Sequence, residues 1–69
     1  MKYLDKKIDI LELDINIINI LISNGIKYVS DLYVLNRKKL KEFGLSDSNI
    51  NRISIKLQLL GLDLNGKKY

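Results

Sequence analysis

The stretch Leu40-Lys41-Glu42-Phe43-Gly44-Leu45-Ser46-Asp47-Ser48-Asn49-Ile50 decides how this chain folds. Residues up to Phe43 fit the end of a short helix. Gly44 can stop that helix in a left-handed conformation without a Cβ clash. Ser46 can accept a hydrogen bond from the free amides that open the next helix. The resulting helix–hairpin–helix arrangement can aim loop amides and a helix N-terminus at a phosphate. Its tip, Ser46-Asp47-Ser48-Asn49, carries no basic residue.

Downstream, Ile50, Ile53, Leu57 and Leu60 repeat at helical spacing and predict an amphipathic helix over 47–60. Gly61 should stop it, Leu62 and Leu64 should fold back as an apolar clasp, and residues 65–69 should form a loose tail. Upstream, Asn36 should cap a short helix over 37–42 that buries Leu40 and Phe43. Before it, Val29, Leu32 and Leu35 mark one side of a helix over 29–35. Asp14 should cap a helix over 15–23, closed by Asn24-Gly25, with Ile15, Ile18 and Ile22 turned inward beside Leu21. Residues 8–13 read as an irregular turn that tucks Ile8, Leu11 and Leu13 into the core, and residues 1–7 as a polar lead-in. No strand is expected, because the one alternating segment has no partner to pair with. The fold class is therefore all-α: one compact domain over 8–64, built from four to five helical pieces.

Size and composition narrow the function. Sixty-nine residues, 46% of them hydrophobic, make one domain near the lower limit for a core that folds unaided. The absence of His and Cys removes the usual neutral-pH general base, soft metal sites, disulfides and Cys–His or Ser–His pairs. The scattered acids fit helix caps better than a catalytic dyad. The expectation is a non-enzymatic protein without cofactor or metal, cytoplasmic, with no secretory signal and no membrane span. A formal charge of +4 and a pI near 9.4 admit a nucleic-acid partner.

Read in order, the residues resemble the C-terminal domain of the bacterial RNA polymerase alpha subunit. The likeness begins at Ile8-Asp9-x-Leu11-Glu12-Leu13, similar to the family's opening I-x-x-L-x-L. It continues through Asn19-x-Leu21, Gly25-Ile26-x-Tyr28-Val29-x-Asp31-Leu32 and Leu40. It closes with Ile53, Leu57 and Gly61-Leu62-Asp63-Leu64, which looks like the family's terminal G-L-x-L. It spans roughly residues 8–64, mostly core and cap positions, so it speaks to fold more than to function. It implies a SAM-like or helix-hairpin-helix domain that binds the minor groove of A·T-rich DNA and touches RNA polymerase partners such as a sigma factor or a transcription activator.

Carried over residue by residue, the family's minor-groove arginine falls on Asn16. Its asparagine one turn later is Asn19, and the small residue after that is Ile20. At the hairpin a basic tip is replaced by Ser46-Asp47-Ser48-Asn49, and a glutamate beyond it is Arg52. Asn49, Arg52 and Lys56 rise along one edge of the last helix and can replace lost phosphate contacts. The candidate DNA-binding set is thus Asn16, Asn19, Ser48, Asn49, Arg52 and Lys56. The segment from Leu40 through Arg52 and the last helix also resembles the end of a SAM domain, a protein-interaction module. On that alternative, Ile17 and Ile20 form an exposed apolar patch for a protein partner or for self-association.

Overall fold

A computed structural model describes residues 3–69. A 3-10 turn (Ile8–Leu11) is followed by four α-helices: α1 (Ile15–Ser23), α2 (Val29–Tyr33), α3 (Arg37–Glu42) and α4 (Asp47–Gln58). Two short strands, β1 (Leu62–Asp63) and β2 (Lys67–Lys68), end the chain. The fold is mostly helical with a small antiparallel hairpin, in which Leu62 pairs with Lys68 and Asp63 with Lys67. The expectation of a purely helical chain is corrected to that extent.

The helix ends lie where the capping residues put them. Asp14 accepts the Asn16 N–H at 3.0 Å, Asn36 accepts the Lys39 N–H at 2.8 Å, and Asp31 accepts the Tyr28 N–H at 3.2 Å. Gly25 and Gly44 close α1 and α3 at φ +82° and +101°. No atom crowds a Cβ built at Gly44. The demand for glycine there comes from the backbone alone.

The core draws on every element except β2. Ile50, Ile53 and Leu57 of α4 are completely buried, together with Leu21, Val29, Leu32, Leu40 and Leu62. Ile8, Leu11 and Leu13 tuck in as expected, and so do the clasp residues Leu62 and Leu64. Phe43, Leu35 and Leu60 are only half-buried against this core. Helix α4 packs chiefly on α3, on β1 and on the 3-10 turn. Among the described residues, no buried side-chain polar atom lacks a partner, and no helix is long and apolar enough to cross a membrane.

Two further expectations are corrected. First, α1 is rotated. Its inward face is Ile17, Ile18 and Leu21, whereas Ile15 is 65% exposed and Ile22 is exposed too. Apolar residues surround this helix, so spacing alone could not choose the buried face. Second, residues 65–69 are not a loose tail. The Asn65 N–H donates to Leu35 O at 2.9 Å, the Gly66 N–H to Tyr33 O at 2.8 Å and the Tyr69 N–H to Gly61 O at 2.6 Å. Asn65 and Gly66, both at positive φ, turn the chain back to make this possible. The polar lead-in is also tied down where it is described. The Val29 N–H donates to Lys6 O at 2.9 Å and the Ile8 N–H to Lys27 O at 3.0 Å. Residues 1–2 of that lead-in lie outside the described residues. A chain this small cannot leave many backbone groups unpaired beside its core.

Asp63 locks the β-hairpin to α4. Its carboxylate accepts from Ser54 Oγ at 2.7 Å, Gln58 Nε2 at 3.1 Å and the Leu64 N–H at 2.7 Å. Burial pushes its pKa up. The hydrogen bonds from Ser54, Gln58 and Leu64 and the charge of Lys67 outweigh that and hold it below 3.8. The unfolded chain therefore takes up this proton before the folded chain does. The stabilisation is complete above about pH 4 and is lost as pH falls through the lower folded value. Asp63→Ala should cost about 1–2 kcal/mol near neutral pH. Urea unfolding at neutral and acid pH checks this, and the difference between wild type and variant should shrink in acid.

Candidate nucleic-acid interface on α3 and α4

Beneath the hairpin tip, Ser46 and Asn49 form a reciprocal cap. Ser46 Oγ accepts the Asn49 N–H at 3.1 Å, and Asn49 Oδ1 accepts the Ser46 N–H at 3.2 Å. This two-way pairing satisfies amides that the start of α4 leaves free. Asn49 is thereby half-buried and committed to the cap, a structural employment that the sequence pattern did not separate from a DNA contact.

Two further links fix α3 against α4. Arg37 Nη2 donates to Asn51 Oδ1 at 2.6 Å, and Lys41 Nζ lies 2.9 Å from Asp47 Oδ1. The hydrogen bond from Lys41, and then its charge, hold the Asp47 carboxyl below its ordinary value. Asp47, the acidic residue at the tip, is thus paired with a cation from the preceding helix. Lys39 lies 3.7 Å from Glu42 and 6.0 Å from the Phe43 ring centroid.

Ser48, Arg52 and Lys56 line one open groove on α4, together with Asn51 and Ile55. Ser48 and Arg52 are exposed and Lys56 is half-buried. Ser48, Arg52, Ile55 and Leu59 follow at i, i+4, i+7 and i+11, on the side of α4 opposite Ile50, Ile53 and Leu57. Ile55 is 58% exposed and Leu59 is 75% exposed. Asn51, Ile55 and Leu59 were not among the residues expected from the sequence. The signal for Ile55 and Leu59 was present in this outward stripe, which complements the buried one.

Asn16 and Asn19 are exposed on α1, as a contact residue must be, but they do not line the α4 groove. The segment around them, residues 8–26, holds Asp9, Glu12 and Asp14 and no Lys or Arg. The candidate set therefore divides into a basic group on α4 and a neutral pair within an acidic segment. The apolar patch expected at Ile17 and Ile20 is also corrected. Ile17 is 2% exposed and Ile20 is half-buried against the core, so neither offers an open apolar surface. The exposed isoleucines of α1 are Ile15 and Ile22.

Comparison of the chain with known protein families and with curated proteins finds no match. Among the described residues, no cluster of His, Cys, Asp or Glu could hold a metal ion.

The division between structural and available residues can be measured. Ser46→Ala and Asn49→Ala should each destabilise the chain by about 1 kcal/mol. Arg52→Ala should stay within about 0.5 kcal/mol of wild type. Thermal and urea unfolding of the three variants checks this.

Proposed function

We propose that this chain is a non-enzymatic, transcription-related DNA-binding domain that holds A·T-rich duplex DNA through α3 and α4. The observation that carries the reading is the distribution of charge. Residues 37–56 hold six basic and two acidic residues, a net +4 that equals the charge of the whole chain. The remainder is neutral in sum. A duplex meets this charge on one segment, where it can act together.

In this reading Arg52 and Lys56 contact phosphates and Ser48 adds a hydroxyl to the backbone. Arg52 is also the side chain best suited to the narrow groove of an A·T tract. Arg37, Lys38 and Lys39 on α3 extend the positive field. Pairing with Lys41 offsets the repulsion that Asp47 would otherwise exert. The resemblance of residues 8–64 to the RNA polymerase alpha C-terminal domain supports the transcription setting, with RNA polymerase, a sigma factor or an activator as neighbours. Asn16 and Asn19 stay outside the proposed contact, since residues 8–26 of the sequence carry three acids and no Lys or Arg. The loss of the family's arginine at Asn16 makes the binding weak.

Fluorescence anisotropy with labelled A·T-rich and G·C-rich duplexes tests the proposal. The expected dissociation constant for the A·T-rich duplex at low salt is roughly 10–100 µM, with a log–log salt slope of about −2 to −4. Arg52→Glu/Lys56→Glu should weaken binding by at least about tenfold. Asn19→Ala should leave it unchanged. No anisotropy change at low salt up to about 1 mM protein would overturn the proposal.

A further inference from the structure

A second depression lies against the α4 groove, and it takes a cation from the far end of the chain. Arg37, at the start of α3, and Lys67, in β2, line one small cleft of about 160 Å³ with Ser54, Asp63, Leu64 and Asn65. The cleft adjoins the groove through one hydrogen bond. Arg37 Nη2 donates to Asn51 Oδ1 at 2.6 Å, and Asn51 lines the groove while Arg37 lines the cleft. Lys67 reaches this place through the fold and not through nearness in sequence. Its strand pairs with Asp63, and Asp63 is held to α4 by Ser54 and Gln58.

The charges in the cleft do not cancel. Asp63 is the one acid in its lining, and its carboxylate already accepts from Ser54, Gln58 and the Leu64 N–H. Against it stand two cations, neither of which forms an ion pair among the described residues. Arg37 uses one N–H on Asn51 and keeps the rest of its guanidinium fork for an anion. Arg37, Asn65 and Lys67 are all exposed. We infer that this cleft holds a further backbone phosphate of the duplex that meets the α4 groove, with Arg37 and Lys67 as its cations and the Asn65 amide as a neutral donor. The inference rests on the DNA-binding reading and extends that surface to the C-terminal hairpin, which composition alone marks as a tail. A phosphate contact there positions the duplex without reading its bases.

Anisotropy titrations of the full chain with A·T-rich and G·C-rich duplexes, at several salt concentrations, test it. Lys67→Ala is compared with Lys27→Ala, which removes the same charge from a groove that shares no residue with this surface. Lys67→Ala should weaken binding about three- to tenfold, by a similar factor for both duplexes, and flatten the log–log salt slope by about 1. Lys27→Ala should keep the wild-type slope. Lys67→Arg, which retains the charge, should restore both affinity and slope, while circular dichroism confirms that the variants stay folded. If wild type binds DNA but Lys67→Ala loses no more than Lys27→Ala, or Lys67→Arg fails to restore binding, the inference is overturned and the α4 contact stands. A wild type that binds neither duplex overturns both.

Discussion

Burial of one side of α4 is the constraint on which the rest of this molecule depends. Ile50, Ile53 and Leu57 have no access to solvent, and α3, β1 and the opening turn are held in place largely by packing on this helix. Among the described residues the buried side chains form one cluster, with no second core to compensate if that stripe is disturbed. The end of the preceding helix at Gly44 and the Ser46–Asn49 cap set where α4 starts and how it is aimed. The Ser54–Asp63–Gln58 bonds then hold the β-hairpin against its partly exposed flank. Among the described residues, the segments 3–8 and 65–69 are both tied by backbone hydrogen bonds, which limits fraying in a fold with so small an interior.

With the inward stripe settled, the outward stripe follows from helical geometry. Ser48, Arg52, Ile55 and Leu59 must face away from the core whenever Ile50, Ile53 and Leu57 face into it. The proposed contact surface is thus tied to stability through one helix, yet the residues of the two stripes are distinct. Asn49 illustrates the boundary. Its spacing groups it with Arg52 and Lys56, but its side chain closes the cap. Asp47 illustrates the reverse: an acid that looks hostile to an anionic partner is ion-paired with Lys41 and supports the start of the helix.

Much of this architecture was legible in the residues. The caps Asp14, Asn36 and Ser46, the stops Gly25 and Gly44, and the tucked Ile8, Leu11 and Leu13 all act as their chemistry suggests, because these are local effects. The rotation of α1 was not legible. Isoleucine or leucine occupies Ile15, Ile17, Ile18, Ile20, Leu21 and Ile22, and where apolar residues surround a helix only tertiary packing selects the buried side. The β-hairpin was signalled by Asn65-Gly66, a pair suited to positive φ, but the strands have two residues each and carry no alternation to read. At the candidate site, the basic edge of α4 could be seen in the spacing of Arg52 and Lys56. The exposure of Ile55 and Leu59 follows from the same helical spacing, whereas the withdrawal of Asn49 into the cap depends on side-chain geometry that the linear pattern does not specify.

The central claim is that the outer side of α4, with the adjoining basic residues of α3, is the surface that meets DNA. Two-dimensional amide NMR of the labelled chain with an A·T-rich duplex at low salt tests it most directly, since it reports every described backbone amide at once. The expected result is a set of shifts concentrated in α3 and α4, largest around Ser48, Arg52 and Lys56, and fading as salt is added. Shifts concentrated instead around Asn16 and Asn19 on α1, or no shifts at all, would contradict it.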